Sequence, residues 1–383
     1  MEVNVHGSIA EINPEEWNRA AGNDYPFLRH DFLLAAESSG SVSPETGWLP
    51  RHLSLRAADG SLRAALLLYE KSHSWGEFVF DWAWADAYRR AGLEYYPKLV
   101  SAVPFTPASS PRLLLADRSD VEAASGLLAA ATELASRSGC SSLHVLFPAE
   151  DELPLLEAAG LKLRKDCQFH WHNRGYASFD DFLSGFSAKK RKNARRDRRL
   201  VTEAGIRYRR YSGADLDEGL WREVYRLISI TFMQRGSTPY FGLDFFRSIG
   251  RSQGDSILVV AAHRGERMIA AAVFFAGSHA LYGRYWGAEE EVNALHFETC
   301  YYQGIDYCIE KGLELFEPGT QGEHKVSRGF APRNTWSAHW LRQPEFFSAV
   351  GDYLQQEGRQ VERYMDAIDR HTPYKADRLP HTE

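Results

Sequence analysis

The chain has 383 residues, 44% of them hydrophobic and 25% charged, which excludes disordered, collagen-like and coiled-coil classes. That length suits two domains, each with its own core. The net charge of −6 gives no overall reason to expect nucleic acid. Between Lys189 and Arg210, however, eleven Lys and Arg meet only Asp197 and Glu203, a local +9 against −15 in the remainder. Four scattered cysteines, Cys140, Cys167, Cys300 and Cys308, form no C-x-x-C pair and read as reduced thiols rather than a disulfide or zinc framework. The first residues lack the basic start and apolar run of a signal peptide. The longest apolar stretch, 268–276, is far short of the ~20 residues a membrane helix needs. The expectation is a soluble, cytoplasmic protein without membrane insertion.

Residues 3–12 read as a first strand, and Asn13-Pro14-Glu15-Glu16 as a capped helix start. Residues 52–56 and 62–70 flank Asp59-Gly60, a tight-hairpin dipeptide. The aromatic run 77–84 is expected to continue that sheet. Strands at 112–115, 143–147 and 162–172 alternate with helices at 121–137 and 153–159. The second half restarts the plan. Phe179, Phe182, Leu183 and Phe186 share one helical face, capped by Ser178, and that helix is expected to run through the basic block toward Gly205. A helix near 220–233, a hairpin of 257–262 with 268–275, a strand at 280–286, a helix at 296–311 and a strand at 313–316 follow.

The two halves also match in detail. Pro26-Phe27-Leu28-Arg29-His30-Asp31-Phe32-Leu33 aligns with Pro239-Tyr240-Phe241-Gly242-Leu243-Asp244-Phe245-Phe246, and each half then has an Ala-rich hairpin strand ending in Ser-His, at Ser72-His73 and Ser278-His279. The ordered pair points to a duplicated domain.

This element order resembles the GNAT acyltransferase fold, and its tandem repetition resembles the Fem family of peptidoglycan aminoacyltransferases. The basic run Ser187-Ala188-Lys189-Lys190-Arg191-Lys192-Asn193-Ala194-Arg195-Arg196 resembles the entry helix of the second Fem domain. Closer still is a FemAB-like group of bacterial proteins, carrying runs similar to Phe80-Asp81-Trp82-Ala83-Trp84-Ala85-Asp86, Tyr95-Tyr96-Pro97-Lys98-Leu99 and Phe316-Glu317-Pro318-Gly319-Thr320-Gln321-Gly322-Glu323-His324-Lys325. The resemblance implies an α/β fold with mixed sheets, two tandem GNAT domains at 1–175 and 176–383, and amide-forming acyl or aminoacyl transfer to an amine on a small molecule or peptide. It implies no permanently bound cofactor. Aminoacyl-tRNA or acyl-coenzyme A serves as co-substrate, with the former favoured.

GNAT chemistry needs a base for the attacking amine and a group that steadies the oxyanion or leaving group. In domain one the loop 106–111 is Pro-rich and lacks the usual glycines, so the site is expected in domain two. Glu323, His324 and Glu298 are the candidate proton-transfer groups, with Tyr285 as acid or oxyanion donor. Lys325 and Arg328, with Gln321 and Arg284, are candidates for holding substrate. Strand alternation would put Trp82, Trp84 and Asp86 on one face as an acceptor pocket. Lys189, Lys190, Arg191, Lys192, Arg195, Arg196 and Arg199 offer RNA or a phosphorylated small molecule a basic surface, or else form a solvated helix. His170-x-His172 has the spacing of two ligands but no third nearby, so no metal is expected. The competing reading is a non-catalytic tandem module that binds RNA or a cell-wall precursor.

Overall fold

The computed structural model describes residues 2–22, 24–320 and 322–375. The chain divides into two compact units. The first comprises the residues up to Asp166 together with Asn334–Arg363, and the second comprises Cys167–Arg333 together with the residues from Tyr364 onward.

In the first unit, Val3–His6, His52–Arg56, Leu62–Leu66 and Leu113–Leu115 form an antiparallel four-stranded sheet. The first strand is shorter than expected because Ser8 accepts from the Ala10 N–H and starts a 3-10 turn, Ile9–Glu11. Asn13 then caps the helix Pro14–Ala21 by accepting from the Glu15 and Glu16 N–H groups. A second group of strands runs Trp48–Pro50, Tyr69–Lys71, Lys98–Ser101 and Ser142–Leu146. Its last pair is parallel. The helix Val121–Arg137 buries Ala124, Leu127, Leu128 and Ala131 in a core with Leu53, Leu66 and Leu143.

The expected strand at 77–84 is not formed. Residues 72–81 are an irregular loop, and Trp82–Arg90 is a helix. Ala83, Ala85 and Ala87 interleave the larger residues and favour helix over strand. The alternation argument therefore fails at its premise: Trp84 is buried 4.8 Å from the His339 ring, whereas Trp82 and Asp86 lie toward solvent.

The second unit carries Ile206–Ser212, Ile257–Arg264, Arg267–Ala276 and Ala280–Ala288 as successive antiparallel strands, then Leu315–Glu317 parallel to the last. Its helical entry is broken in two. Phe179–Ser184 ends at Gly185, and Ala188–Glu203 starts afresh after Ser187. The expected helix at 296–311 contains one π turn, Glu298–Tyr302. Each unit places its Pro-aromatic motif just before a helix, His30–Ser38 in one and Leu243–Ser252 in the other, and follows it with a hairpin, as a duplication requires.

The helix Glu218–Gln234 lies so close to the strand Ala280–Ala288 that a Cβ on Gly287 would sit 1.8 Å from the Leu227 carbonyl oxygen. Backbone cannot yield as a side-chain tip can. Gly287→Ala is expected to lower stability by about 1–3 kcal/mol, read from the denaturant midpoint. An unchanged midpoint would mean that this helix is not pressed against the strand.

Candidate active site

The parallel strands Ala280–Ala288 and Leu315–Glu317 pair at only three positions, Ala280 with Leu315, Leu281 with Phe316 and Tyr282 with Glu317. Beyond these the shorter strand stops at Pro318, which has no N–H to continue a ladder. On the other side of Ala280–Ala288 a bulge interrupts the register: Val273 pairs with Tyr285 and Phe274 with Gly283, leaving Arg284 as the extra residue. Bulges re-aim side chains at such places. A gap between parallel strands thus coincides with a redirected arginine.

Glu317 ends the short strand and is 3% exposed. Burial raises its carboxyl to about 7 despite the nearby Arg284 guanidinium, and its Oε2 has no hydrogen-bond partner among the described residues. Lys325 is 1% exposed, and its Nζ donates to the Gly319 carbonyl. Burial, with Arg284 beside it, pushes the Lys325 ammonium down to about 7. A carboxyl and an amine that both titrate near neutrality are suited to taking and giving a proton. Gly322 (φ 115°) and Gly329 (φ 94°) bracket the 3-10 turn Glu323–Arg328 that brings Lys325 inward, in a backbone region that favours glycine.

Around this centre stands an aromatic and imidazole wall. His324 Nε2 lies 2.8 Å from the Tyr301 hydroxyl, and burial, then Arg328 and Lys325, hold its pKa below the usual value. The His296 ring lies 5.3 Å from Trp286 and 6.0 Å from His324. Arg328 stacks on Phe297 at 3.2 Å, donates to the His324 carbonyl at 2.8 Å and meets Asp197 at 3.3 Å. An open pocket of about 540 Å³ adjoins Trp286 and His296, lined also by Thr231, Gln234, Glu291 and Asn293.

The sequence-derived trio does not come together. Glu323 is exposed and accepts from the Tyr364 hydroxyl at 2.9 Å, His324 is committed to Tyr301, and Glu298 is buried in an ion pair with Arg198 at 3.1 Å while accepting from Gln303. Tyr285 is a packing residue between Phe232 and Phe246, and burial drives its hydroxyl far above the ordinary range. Arg284 lies near Glu317 and Lys325, Arg328 is held on the His324 carbonyl, and Gln321 lies outside the described residues. Glu317 and Asp197 were missed. The available signal for Glu317 was a lone acid closing an apolar strand immediately before Pro-Gly.

On the basic helix, Lys192, Arg195, Arg196 and Arg199 are exposed as one stripe, with Lys189 beside them, while Lys190 and Arg191 are half-buried. Arg195 pairs with Asp180 and Arg199 with Glu203, and Arg191 donates to the Phe186 carbonyl. Among the described residues Lys189, Lys192 and Arg196 have no carboxylate within ion-pair distance. Asp197 joins this helix to the Lys325 turn through Arg328 and Tyr302. His172 accepts from Arg333, and no group of three metal-ligating side chains occurs among the described residues.

The corresponding place in the first unit is closed. The loop after Lys98–Ser101 crosses the end of Ser142–Leu146, with the Ser110 N–H donating to Phe147 and Arg112 Nε to the Leu146 carbonyl. The Glu152 carboxylate accepts from the Arg112, Leu113 and Ala149 N–H groups, fixing the plug.

This architecture recurs in solved structures. The C-terminal domain of a putative lysylphosphatidylglycerol synthetase from Agrobacterium fabrum superposes with a TM-score of 0.57 at 10% identity, covering 91% of this chain and 97% of that one. FemX superposes with a TM-score of 0.54 at 13% identity, covering 92% and 100%. L-PGS from Bacillus licheniformis gives 0.51 at 11%, covering 84% and 96%. At these identities the likeness establishes the fold, the tandem-GNAT architecture of mixed sheets and flanking helices. No curated protein sequence matches the chain. No helix among the described residues is long and apolar enough to cross a membrane. The model of the FemAB-like family, described as peptidoglycan biosynthesis/recognition, matches residues 8–376, and the chain therefore belongs to that family.

Proposed function

We propose that this protein is an acyl- or aminoacyltransferase that forms an amide on an amine acceptor, with its reaction centre in the second unit. The observation that carries the reading is two buried titratable groups, Glu317 where the parallel strands separate and Lys325 on the turn after it, each with Arg284 nearby. The acceptor nitrogen attacks the donor carbonyl carbon and gives its proton to Glu317. The ester or thioester bond then breaks, and Lys325 supplies the proton that the departing oxygen or sulfur takes up. Arg284, fixed by the bulge, offsets negative charge on the carbonyl oxygen. The pocket beside Trp286, lined also by Glu291, suits an acceptor that arrives as an ammonium ion and loses one proton to solvent before its free amine attacks.

Aminoacyl-tRNA is the favoured donor over acyl-coenzyme A, because the exposed basic stripe is longer than a coenzyme's phosphates require. Purified protein should bind charged tRNA with a steep salt dependence. Replacing Lys189, Lys192 and Arg196 together by Ala should flatten the slope of log K against log [salt] by about 2–3. If wild-type protein fails to bind tRNA at low salt but binds acetyl-coenzyme A, the donor assignment passes to the coenzyme.

A further inference from the structure

The loop 72–81 of the first unit, with the start of the helix after it, exposes Trp75 (66%), Phe80 (57%) and Trp82 (41%) within eight residues. Scattered exposed apolar residues are ordinary, but three large rings together on one short segment are not. The two indoles form a wedge, their centroids 5.3 Å apart and their planes at 61°.

This wedge is held from below. Lys98, fully buried, donates to Ser74 Oγ and Glu77 at 2.8 Å and to Asp81, so one ammonium binds the loop at three points. Lys71 Nζ holds the Trp75 carbonyl at 3.3 Å, and Arg164 holds the Phe80 carbonyl at 2.8 Å. Gly76, at φ 82°, lies so close to Phe105 that a Cβ would stand 2.5 Å from its ring, and Phe78 takes a φ of 61° that non-glycine residues rarely adopt. Burying an ion cluster and straining a backbone to fix rings that point at solvent is the signature of a preorganised binding surface.

The surroundings select the ligand. Trp82, Asp86 and Arg89 follow one another along a helix face, and Asp86 contacts Arg89 at 2.5 Å. An adjoining pocket of about 430 Å³ is lined by Asp86, Arg89, Glu94 and Tyr96. Asp86 also meets Arg90 at 3.4 Å, so Arg89 and Arg90 are balanced by Asp86 and Glu94 and this face lacks the basic excess that docking on an anionic lipid surface favours. A pyranose fits both features, its C–H face on indole and its hydroxyls on the carboxylates and guanidinium. We infer that the Trp75–Trp82 wedge and the pocket along Asp86, Arg89 and Glu94 form a carbohydrate-binding site in the first unit. Its residues all belong to the first unit, and it does not depend on the transfer reading.

Calorimetric titration of the full chain with chitotetraose tests this. Wild type should bind, Trp75→Ala and Trp82→Ala should each weaken binding by about tenfold or more, and Trp82→Phe should retain most of it. Each variant should melt within a few degrees of wild type, since the rings lie outside the core. No binding by wild-type protein at about 5 mM chitotetraose, a very weak regime, would overturn the inference. So would undiminished binding by the Trp75→Ala/Trp82→Ala double variant. Capture by anionic phosphatidylglycerol vesicles, lost in that double variant and without chitotetraose binding, would overturn it in favour of a membrane contact.

Discussion

Glu317→Gln should lower turnover by about 10²–10⁴-fold with little change in KM, because the amide keeps the side chain's size and removes its ability to take a proton. The assay is loss of the aminoacyl ester from charged tRNA in the presence of an amine acceptor. The pH profile carries the sign. A base must be ionised to act, so with Glu317 held at about 7 by burial, activity should climb as pH rises toward 7 and then level. Lys325, also near 7, must carry its proton to protect the leaving group, so activity should fall again above that value. Together they give a bell centred close to neutrality, its acid limb set by Glu317 and its alkaline limb by Lys325. Glu317→Gln should erase the acid limb, and Lys325→Met the alkaline one. If Glu317→Gln keeps more than a tenth of wild-type activity, the reaction centre lies elsewhere. Activity lost in His324→Ala and retained in Glu317→Gln would restore the sequence-based assignment.

The sequence was informative where period and punctuation agree. The duplicated Pro-aromatic motif, the Asn13 cap and the hairpin at Asp59-Gly60 all stand where local rules put them, and so does the exposed stripe of the basic helix. It misled at 77–84, where aromatic density suggested strand although alternating alanines permit helix. The segment is held by Lys98, a residue with no local signature. The centre was misread for a related reason. Glu323 and His324 have the right chemistry and stand together in the chain, but the turn that presents them directs Lys325 inward and Glu323 outward to Tyr364. Which of three adjacent polar residues is buried depends on Gly322 and Gly329, and those φ values cannot be read from composition. The plug of Arg112 and Glu152 likewise depends on contacts some 40 residues apart.

Lys98→Met should be the most damaging single change in the first unit. Lys98 is fully buried with Glu77 and Asp81, whose side chains are 1% and 3% exposed. Removing the ammonium leaves two buried carboxylates without their ion-pair partner, with only Lys71 nearby and the Tyr95 hydroxyl donating to Asp81, and breaking a buried pair in this way costs about 3–5 kcal/mol. Burial raises both acids. For Asp81 the attraction of Lys98 wins and holds the carboxyl at about 2, whereas Glu77 stays raised at about 7. In wild type, Asp81 therefore contributes stability that is present above its unfolded value of about 3.9 and is lost as pH falls toward 2. Glu77 works the other way, its contribution present in acid and lost as pH rises through 7. Without Lys98 both carboxyls rise, so the variant is favoured by protonating them. The stability deficit of Lys98→Met should be largest at pH 8 and should shrink at pH 5, as measured by urea unfolding at the two values. A deficit that is equal at both would show that the loss is one of packing volume rather than of charge. The charge account also predicts that Lys98→Met releases the loop carrying Trp75 and Trp82, so amide exchange over residues 72–81 should rise more than exchange in the strand Ser142–Leu146. A uniform rise across both segments would mean that Lys98 supports the whole unit and not the loop in particular.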